Sequence, residues 1–116
     1  KNKIMNLLNV SLVLFSGVSF IIYGSLLFVS TEMRNEFKRF KLEKFTTLTG
    51  ILELLGGIGL LIGLKVGFIM LISSGGLALL MLLGFGVRIK VNDSFWLSFP
   101  SLFFMLLNLY VFIVAL

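Results

Sequence analysis

Four long apolar stretches make up most of this sequence of 116 residues. They run over residues 4–29, 46–64, 68–87 and 95–116. A helix rises ~1.5 Å per residue, so roughly 20 residues cross a hydrocarbon core of ~30 Å. Because lipid offers the backbone no hydrogen-bond partners, each stretch is expected to be helical. The sequence therefore predicts an all-α membrane protein, a bundle of four transmembrane helices forming one domain over residues 1–116.

The composition agrees with a location inside a membrane. Hydrophobic residues make up 59% of the chain and charged residues 13%, against roughly 45–50% and 25% in soluble domains. The first apolar stretch is too long for a signal peptide and is followed by no cleavage site of the A-x-A kind, which indicates an uncleaved helix. We expect an integral membrane protein, in a bacterial plasma (inner) membrane.

Two residue types that carry much of protein chemistry are missing. The chain contains no cysteine and no histidine. This excludes a thiolate nucleophile, a disulfide, an imidazole base and the common Cys or His ligands of zinc and iron–sulfur clusters. We therefore predict no catalytic residues, no metal site and no cofactor, and a role other than that of an independent enzyme.

The connections between the apolar stretches differ in length and charge. Residues 30–45 join the first two, residues 65–67 form a tight turn between the second and third, and residues 88–94 precede the fourth. Seven basic residues lie in the two longer connections, whereas only Lys1, Lys3 and Lys65 lie on the other side. The positive-inside rule then places both termini outside the cell. We therefore attribute the net charge of +5 to basic residues that anchor the ends of the apolar stretches at the membrane surface, and we expect no nucleic-acid partner.

The first connection has a helical pattern of its own. Met33, Phe37, Phe40 and Phe45 recur at helix-like spacing, with basic residues between them. This pattern predicts a short amphipathic helix at the membrane interface, where its cations would meet anionic headgroups. The alternative is a solvated basic loop that is anchored by its Phe side chains.

Glu53 is the only acidic residue inside any of the four stretches. A charged side chain at the bilayer centre costs ~2.5–3.5 kcal/mol on insertion scales, so such residues usually face the interior of a bundle. The functional interpretations are a proton carrier, a ligand contact or an internal ion pair. The structural alternative is a protonated carboxyl that hydrogen-bonds a neighbouring helix and fixes its packing.

Several polar side chains could reach Glu53. Some would offer hydrogen bonds from inside the bundle, and others would extend inward from the helix ends as cations. The possible partners are Tyr23, Asn108 and Tyr110 in the first group, and Arg34, Arg39 and Arg88 in the second.

Glycines surround Glu53 along the second stretch. Gly50 and Gly57 lie seven residues apart and share a helix face with Glu53 between them. Gly59 and Gly63 follow in the G-x-x-x-G spacing that lets helix backbones approach closely in membranes. We expect these four glycines to pack against neighbouring helices.

Taken in order, these features resemble the DoxX-like family of small four-helix membrane proteins. The resemblance begins at Tyr23–Gly24 and continues through residues 36–39, 48–63 and 76–84. Its most specific part is the segment around Glu53, on which the family glutamate would fall. The resemblance implies a four-helix bundle whose relatives include a quinone-linked oxidoreductase subunit and assembly factors for other membrane proteins.

Three functions fit these observations. The first is an accessory or assembly subunit of a larger membrane complex, redox- or quinone-linked, that uses Glu53 and the glycine-rich faces for packing or a buried polar contact. Its partners would be membrane lipid, other membrane subunits or further copies of the chain, and a quinone as ligand. The alternatives are a proton-coupled transporter of small molecules with Glu53 as proton carrier, and a membrane oxidoreductase component acting on quinone.

Overall fold

A computed structural model describes residues 6–116 of the chain. Four helices are long and apolar enough to cross a membrane: α1 (Leu7–Val29), α3 (Thr46–Gly63), α4 (Gly67–Lys90) and α5 (Phe95–Ala115). Mean hydropathy in these four segments, with the second counted from Glu43, lies between 1.8 and 2.3. The predicted all-α membrane fold is confirmed.

One predicted connection is wrong in its extent. The sequence predicts a connection over residues 88–94, but α4 continues through Arg88 to Lys90. The charged residues end the apolar stretch without ending the helix, because cations near a helix C-terminus interact favourably with its dipole. The helix ends at Lys90, and two residues later Asn92 adopts a left-handed conformation with φ 64°. Ile4 and the terminal Lys1 and Lys3 lie outside the described residues.

The first connection contains a short helix, as its pattern predicts, but the helix ends before Phe40, and Phe45 lies in a separate turn. This helix, α2 (Thr31–Arg39), begins at Ser30, whose hydroxyl accepts a hydrogen bond from the Met33 N–H. It ends where Lys41 takes a left-handed φ of 63°, and a single 3₁₀ turn (Glu43–Phe45) leads into α3. Its place at the membrane interface stays a prediction.

The long helices form a closed ring in the order α1, α3, α4, α5. The most extensive contacts join α1 to α3, α4 to α5 and α3 to α4, while α5 returns to α1 through a smaller contact. Helices α3 and α4 are therefore the antiparallel hairpin that the short connection predicts. The buried core between the helices includes Val13, Phe20, Leu60 and Met70.

Glycines on two faces of α3 allow its close packing. A Cβ at Gly57 would lie 2.7 Å from the Gly17 carbonyl oxygen of α1, and one at Gly50 would contact Phe28 at 2.8 Å. On another face, a Cβ at Gly63 would lie 2.7 Å from the Met70 Cα of α4, and one at Gly59 would collide with the Ser73 hydroxyl.

Two polar contacts close α5 onto α1. The Ser16 hydroxyl donates a hydrogen bond to Asn108 Oδ1 at 3.1 Å, and the Asn108 amide donates to the Phe104 carbonyl at 2.9 Å. Nearer the hairpin end, the Tyr110 hydroxyl donates to Asn9 Oδ1 at 2.8 Å. These hydrogen bonds satisfy polar groups that lipid would leave unpaired.

Candidate functional site

A cavity of about 520 Å³ lies in the bundle at the end where α2 sits. All five helices contribute to it, and we call it the Glu53 cavity after the carboxyl in its wall. Helix α2 covers it with Met33 and Phe37, and Phe40, directly after this helix, also lines it. Cavities of ~300–1,000 Å³ with mostly apolar walls and a few polar groups are typical of sites for small molecules.

Glu53 is the acidic group of this cavity. Its residue is only 7% exposed, and its Oε1 atom is buried without a hydrogen-bond partner in the part of the chain that the structure describes. Buried polar atoms in proteins are usually hydrogen-bonded, so each exception calls for an explanation. The position on α3 follows from the glycines: with Gly50 and Gly57 against α1, the side chain between them is turned into the bundle.

Few other polar side chains line the cavity. They are Tyr23 of α1, Thr49 of α3, Arg88 of α4 and Ser101 of α5. The Tyr23 ring packs edge-on against Phe104, with 6.0 Å between the ring centroids. The remaining lining is aliphatic or aromatic, so the cavity offers a small number of hydrogen-bonding positions within a hydrocarbon wall.

The cation at the cavity rim belongs to an ion cluster made of Glu36, Arg39, Arg88 and Asp93. Arg88 Nη1 lies 2.9 Å from Asp93 Oδ2 and 3.4 Å from Glu36 Oε1. Arg39 Nη2 lies 2.8 Å from the same Glu36 oxygen. The guanidinium groups of Arg39 and Arg88 also lie 4.9 and 5.1 Å from the centre of the Phe40 ring, within the range of cation–π contacts.

The end of α4 places Asp93 in this cluster. With Asn92 left-handed, the Asp93 N–H donates to the Arg88 carbonyl at 2.9 Å, the hydrogen bond of a Schellman cap. Asparagine tolerates this conformation better than most residues. The cap turns the chain back over α4, and the Asp93 carboxylate comes to lie beside the Arg88 side chain.

The cluster changes the acidity of its two carboxyl groups. Hydrogen bonding to the Arg39 guanidinium lowers the pKa of Asp93 below its ordinary value, and Arg88 adds to this effect. The same hydrogen bond to Arg39 is the main reason that the pKa of Glu36 is lowered. Both carboxyl groups are therefore ionised at neutral pH and hold the two arginines.

The possible partners of Glu53 are distributed over several places. Tyr23 and Arg88 line the Glu53 cavity, but neither donates a hydrogen bond to Glu53 within residues 6–116. Arg39 is held in the ion cluster, and Arg34 donates to the Phe28 carbonyl at 3.2 Å. Asn108 and Tyr110 make their hydrogen bonds to α1 and α5, as described above.

Sequence reasoning missed the acidic half of the ion cluster. Glu36 and Asp93 are 57 positions apart in the sequence, and only the packing of α2 over the end of α4 brings them together. The one available signal was the Asn92–Asp93 pair directly after a cationic helix end. Thr49 and Ser101 were also missed, because a lone hydroxyl in an apolar helix usually satisfies itself on its own backbone.

Comparison with known proteins identifies a family. The model of a protein family described as the DoxX-like family matches residues 4–111, nearly the whole chain. No curated protein and no solved structure matches the chain significantly.

Proposed function

The chain belongs to the DoxX-like family, and from this premise we propose that it is an accessory subunit of a larger, redox-linked membrane complex in a bacterial plasma membrane. Within that complex its task is to hold a membrane-soluble small molecule, with a quinone as one candidate, in the Glu53 cavity. The catalytic groups belong to the partner subunits.

The observation that carries this proposal is the state of the polar groups around the cavity. Acid–base catalysis needs at least one further group that can exchange protons or stabilise charge beside the first. Among the described residues, the one cation that lines the cavity, Arg88, is bound by Glu36 and Asp93. Glu53 is left as the one carboxyl of the cavity, beside the neutral hydroxyl groups of Tyr23, Thr49 and Ser101. This set suits hydrogen bonding to a ligand better than catalysis.

The exposed surface is consistent with a subunit that lies among lipids and other helices. Large apolar side chains such as Phe95, Trp96 and Ile113 on α5 are well exposed. A soluble domain would rarely display so many together. This apolar surface supports membrane embedding and leaves room for contacts with neighbouring subunits.

The test is purification of the tagged chain from its native membrane in a gentle detergent. We expect a stoichiometric set of partners that includes a subunit with a redox cofactor, identified by native gel, mass spectrometry and the visible spectrum. Glu53→Leu should leave this set intact, because Glu53 lies inside the bundle, and should lower electron transfer to quinone by the complex.

Other results would reject the proposal. A chain that migrates alone or as a homodimer has no place in a complex. Proton flux in proteoliposomes that depends on a small-molecule substrate and is lost in Glu53→Gln would instead identify a proton-coupled transporter. Quinone turnover by the purified chain alone would identify an oxidoreductase component.

A further inference from the structure

A groove of about 330 Å³ runs between α3 and α4 on the outer surface of the bundle. Its lining is almost entirely aliphatic, with Gly56 and Gly76 among the residues along it. Three residues line both the groove and the Glu53 cavity: Leu52, Leu80 and Leu83. The two spaces are therefore neighbours that share one wall.

Along the helix axes, the groove lies beyond the cavity in one direction. On α4 the cavity is lined from Arg88 back to Leu80, and the groove is lined from Leu83 back to Ile72. On α3 the cavity residues end at Glu53, and the groove continues to Gly56. Both helices thus lead away from α2 and toward the α3–α4 turn. At ~1.5 Å per residue, the span from Arg88 to Ile72 is about 24 Å.

The polar groups lie at one end of this combined space. Glu53, with its unpaired Oε1, lies in the cavity, and so does the Ser101 hydroxyl. The groove offers the Ser73 hydroxyl and is otherwise hydrocarbon. A ligand that fills both spaces needs a compact head that can hydrogen-bond a carboxyl group and a flexible hydrocarbon tail.

We propose that the Glu53 cavity and the α3–α4 groove form one binding site for a single-chain amphiphile, whose hydroxyl or carbonyl head hydrogen-bonds Glu53 and whose tail lies in the groove. This site deepens the proposed function, since it rests on the use of the cavity for binding. The head is not anionic, because the Arg88 guanidinium that could hold an anion is already bound by two carboxylates. Helix α2 covers the head of the ligand, and the lipid of the bilayer contacts its tail in the groove.

Gly76 provides a way to block the tail without disturbing the fold. A Cβ built at Gly76 meets no atom within 4 Å, so a larger side chain there would enter the groove and not a neighbouring helix. Gly86 on the same helix has equally open surroundings but lines neither space. Gly76→Leu and Gly86→Leu are therefore a matched pair of blocked and control variants.

The experiment uses the purified chain in phosphatidylcholine vesicles and two photoreactive alcohols. One is hexadecanol with a diazirine in the middle of its tail, and the other is hexanol with a diazirine at its end. We expect the long probe to label α3 and α4 around Gly56 and Gly76, as located by mass spectrometry. Unlabelled hexadecanol should compete with it, whereas hexadecane, which lacks the hydroxyl, should not.

The variants separate the head from the tail. Glu53→Leu should lower labelling by the long probe about fivefold, which corresponds to ~1 kcal/mol for one hydrogen bond. Glu53→Gln, which keeps a hydrogen-bonding side chain, should retain most of the labelling. Gly76→Leu should weaken the long probe and spare the short one, and Gly86→Leu should change neither.

Three outcomes would overturn the proposed site. Labelling spread evenly over all lipid-facing helices would show bulk lipid contact only. Equal competition by hexadecane would show that no head is recognised, and equal effects of Gly76→Leu and Gly86→Leu would show that the tail lies elsewhere. The label map of the unchanged chain decides the site without any variant. The label map needs no partner subunit. The proposed binding site and the proposed membrane complex can therefore each be confirmed or rejected without the other.

Discussion

Arg39 and Asp93 form a two-point ion pair between α2 and the connection that follows α4. Arg39 Nη1 lies 2.8 Å from Asp93 Oδ1, and Arg39 Nη2 lies 3.0 Å from Asp93 Oδ2. The Asp93 side chain is only 6% exposed, although Arg39 is more open. Paired geometry of this kind fixes direction as well as distance. The ion pair therefore holds α2, which covers the Glu53 cavity, over the end of the bundle.

We predict that Asp93→Asn loosens α2. The neutral amide keeps the size of the side chain but cannot form the paired contact with Arg39 or hold Arg88. The chain has no cysteine, so a nitroxide attached to the Asn35→Cys variant on the exposed side of α2 reports the motion of this helix alone. We expect Asp93→Asn to increase the mobile fraction of its electron paramagnetic resonance spectrum.

Glu43→Gln is the control for that change. It removes the one ion pair of α2 in residues 6–116 that lies outside the ion cluster, between Lys38 and Glu43, which is long at 3.9 Å and exposed on both sides. Exposed pairs of this kind contribute little, so the label should stay as ordered as in the parent. A spectrum that Asp93→Asn leaves unchanged would mean that the apolar contacts of α2 hold it without the ion cluster.

The same label should respond to acid but not to moderate changes of pH. The pKa values of Asp93 and Glu36 are lowered by hydrogen bonds to Arg39. Carboxyl groups with lowered pKa values stabilise the folded state fully above their ordinary values of about 4, and this contribution is lost as the pH falls through the lowered values. We expect constant mobility from about pH 8 to pH 5 and a rise below about pH 4. In Asp93→Asn the acid-dependent rise should be much smaller; an equal rise would assign it to other groups.

The helices could be predicted from the sequence because one physical requirement decides them. Every backbone N–H and C=O group in lipid must be hydrogen-bonded within its own segment, so an apolar stretch of sufficient length forms a helix. The amphipathic helix was predictable for a similar reason, since Met33, Phe37 and Phe40 repeat with its period. The end of α4 could not be predicted in this way, because the run of apolar residues stops at Arg88 while the helix continues to Lys90.

The site could be predicted only in part. Glu53 is conspicuous in the sequence because a carboxyl in an apolar stretch is rare. Its surroundings depend instead on which residues the other helices turn toward it. The sequence suggested that Arg39 or Arg88 could reach Glu53, but the cap at Asn92 brings Asp93 to both arginines first. A local turn therefore decided a contact between distant segments.

We predict that Glu53→Leu stabilises the isolated bundle. Leucine has a similar size and no polar atom, so the substitution removes a buried oxygen that has no partner within the described residues. An unsatisfied buried polar group costs about 1–3 kcal/mol, and the free energy of unfolding in micelles should rise by a comparable amount. Circular dichroism during denaturation measures it, with Glu53→Gln as the polar control that should change little. A loss of stability in Glu53→Leu would mean that the carboxyl has a structural partner.

Gly57→Ala tests the close approach of α1 and α3. The added Cβ would lie 2.7 Å from the Gly17 carbonyl oxygen and 3.0 Å from an Ile21 side-chain carbon, so two backbones must move apart. Overpacking costs about 1–3 kcal/mol, and the higher helix propensity of alanine returns about 0.5–1 kcal/mol. We expect the free energy of unfolding to fall by about 1–2 kcal/mol in Gly57→Ala. In Gly76→Ala the new Cβ meets no atom within 4 Å, so only the higher helix propensity of alanine should act. The free energy of unfolding should then be slightly higher than that of the parent. If both variants behaved alike, helix propensity rather than the contact between α1 and α3 would account for the effect.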